Sequence, residues 1–286
     1  MAGRRATRPE MIDGRHNPLV AKLSQFAALS DEDVGLLEAL CLPEERFRAG
    51  ANIVAEGEAP RSAFVITRGM ACRYRLMPDG RRQILTILIP GDFFDLHGFL
   101  LRATDHSVAT IGPTRIAAIG REAVIDIIAN HPRIGAALWW SAMQEDAMLR
   151  ERIVALGRRS ARGRLAYLLC ELVWRHRAIG MAGDHAILLP FTQTDLADML
   201  GLTAVHTNRV LQGFRQDGLI TLEHRRLTLL DVERLQAICS LTRDYLKLNS
   251  TPPEILLWID RRPCQRLQNS PIPSLSIGRL VGTRVP

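Results

Sequence analysis

Residues 191–220 read FTQTDLADMLGLTAVHTNRVLQGFRQDGLI. Thr192 followed three positions later by Asp195 is close to a capping-box arrangement at a helix start. Leu196, Ala197 and Leu200 then recur at helical spacing. Gly201 comes next, where a left-handed turn needs a residue without Cβ. Thr203 is placed to cap a second helix that runs to about Asp217. On that helix Thr207, Val210, Leu211 and Phe214 share one side. Val205, Arg209, Gln212, Gln216 and, at the edge, Asn208 lie opposite. Small and apolar residues at these spacings pack two helices at a steep angle, as in a helix–turn–helix. In that motif the second helix enters the major groove and its first residues reach base edges.

A surface hairpin with a solvated face is the competing reading. It leaves residues 218–230 unexplained. Gly218–Leu222 and Leu227–Leu230 are short apolar runs around a charged tip, Glu223-His224-Arg225-Arg226, and read as a β-hairpin wing. The net charge of +7 suits a polyanionic partner. It is unevenly placed: residues 19–156 carry 15 basic and 17 acidic side chains, residues 157–248 carry 13 and 9. The excess therefore sits with the helix–turn–helix and with the two chain ends.

At 286 residues the chain has room for two domains with their own cores. No apolar run is long enough to span a membrane, and the start MAGRRATRPEM lacks the apolar stretch of a signal peptide. A cytoplasmic location is expected. The five cysteines, 41, 72, 170, 239 and 264, are too scattered for iron–sulfur or zinc spacing and read as buried thiols. No cofactor is expected.

The rest divides by pattern. Residues 1–18 are an Arg-rich mobile arm. Two short helices, 19–26 and 31–42, precede a region in which glycines 50, 57, 69, 80 and 91 punctuate short apolar runs. Pro78-Asp79-Gly80 is a tight turn there. Such spacing predicts an antiparallel β-barrel or roll, with its helices filling 19–130. His131-Pro132 interrupts a helical stretch that begins near Arg121, and a longer helix spans 131–157. One stripe of it holds Leu138, Ala142, Leu149, Ile153 and Leu156, and a second arc holds Trp139, Trp140, Met143, Ala147 and Val154. A helix apolar on two sides buries both, one on its own roll and one on a second copy. Residues 158–248 form the winged domain and close with a helix over 231–246. A proline-rich irregular tail occupies 249–286. The fold class is α+β.

A β-roll, a long connecting helix and a C-terminal winged helix, in that order, resemble the Crp/Fnr family of bacterial transcription regulators. The resemblance covers 19–248. It is carried by Gly50, Glu56-Gly57-Glu58 and Gly69, by Leu88-Ile89-Pro90-Gly91-Asp92-Phe93-Phe94, and by Leu196–Thr203 with Asn208-Arg209-Val210-Leu211. It implies a homodimer on a near-palindromic DNA site and contact with RNA polymerase. It also implies an effector in the roll that repositions the recognition helices.

The resemblance places Arg209 where the family commonly has an arginine, suited to a guanine or to phosphate. Val205 stands where many members have a glutamate, and offers only apolar contact. Thr203, His206, Asn208 and Gln212 complete the expected DNA-facing set, and His224, Arg225 and Arg226 at the wing are expected on phosphates. In the roll, Leu96 replaces the glutamate and His106-Ser107 the Arg-Ser pair of cyclic-nucleotide binders. Asp92, Asp95 and Asp105 add negative charge. Asp92, Asp95, Leu96, His97, His106 and Ser107 are thus a candidate effector pocket unsuited to cyclic AMP. The alternative is a cupin-like metal site, enzymatic or sensory, built on His97 and His106 with Asp92 and Asp95.

Overall fold

A computed structural model describes residues 17–59, 62–96, 102–183 and 185–240. Residues 1–16 of the N-terminal arm, the tail, Cys264, His97 and the part of the expected last helix beyond residue 240 lie outside those residues.

Two helices open the chain. Pro18–Leu23 (α1) begins with its proline in the first turn, and the Asn17 side chain accepts from the Leu19 amide at 2.9 Å. Asp31–Leu40 (α2) starts on a capping box between Ser30 and Asp33. Eight strands come next: Glu44–Phe47 (β1), Asn52–Val54 (β2), Ser62–Arg68 (β3), Ala71–Leu76 (β4), Arg82–Leu88 (β5), Phe93–Phe94 (β6), Ser107–Thr110 (β7) and Thr114–Gly120 (β8). They pair antiparallel in two four-stranded sheets, β1-β8-β3-β6 and β2-β7-β4-β5. This is the expected roll.

Both faces of these sheets are covered, so burial follows the two-residue period of a strand onto two different cores. On β3, Ala63 and Val65 meet α1, α2 and the helices after the roll. Ile66 faces inward with Val54, Leu88, Phe94, Val108 and Ile116. β5 departs from strict alternation. Tyr74 pairs with Ile84 and Arg73 with Thr86, so Leu85 is a bulge. The extra residue turns Ile84 and Ile87 to the same side, the side facing the C-terminal helices.

Arg121–Asn130 (α3) stops at His131, and Pro132–Arg158 (α4) restarts with proline in its first turn. A proline there gives up no helical hydrogen bond. The side of α4 buried on its own subunit is Ile134, Ala137, Leu138, Ser141, Gln144, Met148, Arg152 and Ala155. Of the two stripes expected from the sequence, only Leu138 is on it. On that side Arg152 finds buried partners in the Leu85 carbonyl and Glu171. Four of the expected apolar residues are left largely outside: Trp139 is 53% exposed, Met143 42%, Ile153 71% and Val154 48%.

The winged domain comprises Ala161–Ala178 (α5), Ala186–Leu188 (β9), Gln193–Leu200 (α6), Ala204–Gln216 (α7), Ile220–Glu223 (β10), Arg226–Leu229 (β11) and Val232–Cys239 (α8). Its core is continuous with the outer face of the β2-β7-β4-β5 sheet. Cys72, Tyr74, Ile84 and Ile87 pack in one cluster with Leu165, Leu169, Leu196, Leu200 and Phe214.

Buried charges cross the same boundary. Asp92 is 4% exposed. It accepts from Lys22 of α1 at 2.5 Å and from Arg175 of α5 at 2.5 Å. Arg175 also donates to the Ile87 carbonyl at 3.0 Å and to Glu171 at 3.2 Å. Glu171, fully buried, accepts from Arg152 of α4 at 3.2 Å, and Arg152 donates to the Leu85 carbonyl at 2.7 Å. Gly91 belongs to this joint: a Cβ there would lie 2.4 Å from the Pro18 carbonyl oxygen.

Burial pushes the Asp92 carboxyl up, but Lys22 and Arg175 outweigh burial and leave it below its ordinary 3.8. A carboxyl depressed in the folded state stabilises above its unfolded pKa, and that contribution is lost as pH falls through the folded value. Asp92→Ala leaves two cations buried without their carboxylate. It is expected to cost about 3–5 kcal/mol, read from urea unfolding at neutral pH, with the loss shrinking as pH drops below about 4.

Candidate DNA interface and sensor pocket

The helix–turn–helix is fixed by its own local chemistry. Thr192 Oγ1 accepts from the Asp195 amide at 3.1 Å, while the Asp195 carboxylate accepts from the Thr192 amide at 2.9 Å and hydroxyl at 2.7 Å. Gly201 ends α6 in the left-handed region, φ 61°, and the Leu202 amide closes on the Ala197 carbonyl at 3.1 Å. Thr203 caps α7 by accepting from the His206 amide at 3.2 Å. Thr207, Val210, Leu211 and Phe214 are buried. Thr203, Val205, His206, Arg209 and Gln212 are exposed and Asn208 is half-buried, so these residues share one open face.

The wing is tighter than its sequence suggests. Glu223 pairs with Arg226 in the ladder, so only His224 and Arg225 form the turn. Both have positive φ, 48° and 64°. A two-residue hairpin turn of this hand is favourable for Asn-Gly and strained for other pairs. Residues kept in such conformations cluster at functional sites. The strain here holds His224 and Arg225 exposed beside the exposed Arg226. β9 is the third strand of this sheet, paired with β11.

Two cations of this region carry no signal in the sequence. Arg162 lies 4.8 Å over the Phe214 ring and pairs with Asp217 at 2.5 Å, bracing the end of α7. Arg82 reaches from the roll to α6, where it pairs with Asp195 and Asp198.

In the roll, a cavity of about 420 Å³ is lined by Ile53, Val54, Glu58, Ala59, Ser62, Phe64, Asp95 and Thr104. Two carboxylates and no cation are among these residues. Of the five expected pocket residues that are described, Asp95 alone lines it. The Asp92 carboxylate is engaged in the ion pairs with Lys22 and Arg175. Leu96 packs against the helical cluster of α1, α2 and α4 and lines, with Asp95, a smaller cavity between the roll and α4. Ser107 accepts from the Glu56 amide at 3.0 Å. His106 is buried, with Nε2 3.0 Å from Asp95 and Nδ1 2.7 Å from Asp105. His97 lies outside the described residues. The expectation of uncompensated carboxylates fails as well. Arg73 of β4 donates to Asp95 at 3.3 Å and pairs with Glu145 of α4. Among the described residues no group of three His, Cys, Asp or Glu side chains is arranged to hold a metal ion, so the cupin-like reading has no support.

The comparisons with known proteins agree with this geometry. A family model described as a Crp-like helix-turn-helix domain matches residues 163–238, and one described as a cyclic nucleotide-binding domain matches residues 44–131. The nitrogen fixation regulation protein FixK of Bradyrhizobium diazoefficiens is 30% identical over 195 residues, which are 68% of this chain and 81% of that protein. The chain belongs to the Crp/Fnr family. It is a transcription regulator of that type, with a helix–turn–helix DNA-binding domain. A second Crp/Fnr relative is the transcriptional activator protein FnrL of Cereibacter sphaeroides, 29% identical over 183 residues, 63% of this chain and 73% of that protein. The solved structure of FixK2 from Bradyrhizobium japonicum superposes with a TM-score of 0.62 at 25% identity, over 70% of this chain and 98% of that one. No helix of the described residues is long and apolar enough to cross a membrane.

Two measurements test this local chemistry. Burial and Arg73 push the His106 imidazole toward its neutral form, but Asp95 and Asp105 outweigh them and raise its pKa above the ordinary 6.5. A histidine raised in this way contributes fully below the unfolded pKa, and the contribution is lost as pH rises through the folded value. Urea midpoints followed from about pH 6 to about pH 8 are expected to fall on this account, and His106→Gln to flatten that fall. At the wing, the pair His224→Asn and Arg225→Gly relieves the turn. It is expected to raise stability by about 1 kcal/mol, seen as a higher urea midpoint, while weakening retention of duplex DNA.

Proposed function

We propose that the chain acts as a homodimer that reads a near-palindromic DNA site through α7. The observation that carries this is the open polar face of α7, on a helix whose other side is locked into the core. Arg209, Val205, His206, Asn208 and Gln212 are the base-facing residues. Thr203, His224, Arg225 and Arg226 hold phosphates, which position a protein on the duplex without reading it. Residues 19–130 form the sensor, 131–157 the dimerisation helix and 158–248 the DNA-binding unit. The exposed Trp139, Met143 and Ile153 on α4 support a second copy as the partner, since such side chains in a row along a helix favour an apolar neighbour. Membership of the family supports contact with RNA polymerase and a cytoplasmic location.

The effector is not cyclic AMP, or there is none. A cyclic phosphate needs a cation, and the described lining of the roll cavity offers Glu58 and Asp95 instead.

Selection of bound sequences from a random duplex pool, with and without cell metabolites, tests the reading. Inverted repeats with half-sites about one helical turn apart are the expected yield. Arg209→Ala is expected to lose about 1–3 kcal/mol of discrimination at one base pair of each half-site. Unchanged discrimination removes Arg209 from base reading, and a pool without enrichment removes the function.

A further inference from the structure

The edge of the sensor sheet nearest the DNA-binding helices is β5. On the side without a strand partner its backbone is met by side chains: Arg152 takes the Leu85 carbonyl and Arg175 the Ile87 carbonyl, and at its start two side chains reach α6. Arg82 Nη2 lies 2.6 Å from Asp195 Oδ1, and Arg82 Nε lies 2.8 Å from Asp198 Oδ2. Gln83 Nε2 donates to the Asp198 carbonyl at 2.7 Å. The guanidinium also sits 5.8 Å over the Tyr74 ring.

These contacts bear on DNA binding because of what α6 is. It has eight residues, too few to be stable on its own. In a helix–turn–helix the first helix crosses the DNA backbone and sets the angle of the second. Asp195 has two tasks: one carboxylate oxygen completes the capping box with Thr192, and the other holds Arg82. The sensor thus grips the residue that starts the helix. The docked arrangement leaves the reading face of α7 and the wing tip exposed, so the grip leaves the DNA-facing surface open.

We propose that Arg82 is a positioning residue for DNA binding: by bridging Asp195 and Asp198 it fixes α6, and with it the recognition helix, on the edge of its own sensor sheet. The proposal rests on the DNA-binding reading above and adds a sensor residue to it. It makes an unusual demand. Asp198 is an anion on a DNA-binding helix, and neutralising it should tighten binding to a polyanion if only charge mattered. As the anchor of the clamp, its loss must weaken binding.

The test is titration of a duplex recovered from the selection with the full-length protein and four variants, each checked for native helix content. Asp198→Asn is expected to bind about tenfold more weakly, about 1.4 kcal/mol, although it removes a negative charge. Arg82→Ala is expected to bind more weakly still, because it frees Asp195 as well. The double variant Arg82→Ala with Asp198→Asn is expected to be no weaker than Arg82→Ala alone, since the two residues act through one contact. Arg82→Lys is expected to recover part of the affinity lost in Arg82→Ala. An Asp198→Asn protein that binds as well as the wild type or better overturns the proposal, and so do additive losses in the double variant. If Asp198→Asn unfolds the chain, Arg82→Lys against Arg82→Ala decides, and equal affinities overturn it. Wild-type protein that retains no duplex removes the DNA reading and the clamp together, whereas a binding wild type with an unimpaired Asp198→Asn removes the clamp alone.

Discussion

A carboxylate withdrawn from water must be matched by cations brought to the same place, and Asp92 imposes that condition on the whole fold. It sits on the turn after β5, bonded to the Ile89 amide at 2.8 Å, so its position is fixed by the sheet. Lys22 comes to it from the first helix and Arg175 from the first helix of the DNA-binding half. Arg175 then needs Glu171, and Glu171 needs Arg152. A chain of groups that are unfavourable singly in the interior is acceptable only when all are present, because each leaves its neighbour unpaired if removed. The three parts of the molecule are joined by that requirement as much as by apolar contact.

The winged domain was legible in the sequence because its signals are local. Thr192 and Asp195, Gly201, and Thr203 with His206 act within a few residues, and each appears in the structure in the role its position suggests. The roll was legible from its turns, as at Gly80 and Gly91, both with positive φ. What the sequence withheld is pairing over distance. Asp92 meets Arg175 across 83 positions and Arg82 meets Asp195 across 113, and nothing local marks either pair. For the same reason nothing near Asp92 in the sequence shows that its carboxylate is engaged by Lys22 and Arg175. The misreading of α4 has a different cause. Periodicity detects apolar stripes but does not say which one faces the chain's own core, and here the inward side was the one carrying Ser141, Gln144 and Arg152.

The sensor and reading halves differ in how their polar groups are used. In the roll, Arg73, Asp95, His106 and Asp105 are spent on one another and on Glu145 of α4. On α7 and the wing, the polar side chains are left open. A polar group already satisfied within the protein gains little from a ligand, whereas an exposed cation gains from a phosphate by releasing counterions. That contrast separates the proposed DNA-facing surface from the rest more sharply than net charge does.

The common core of roll and winged domain has a consequence for modularity. Cutting the chain between α4 and α5, near Ser160, would strip Ile84, Ile87, Cys72 and Tyr74 of their cover on one fragment and leave the facing side of α5 bare on the other. Neither piece would be a finished domain. A chimaera that joined this reading head to the sensor of a relative would inherit two surfaces that were never shaped for each other, so any exchange of parts must carry strand β5 along with the helices it supports.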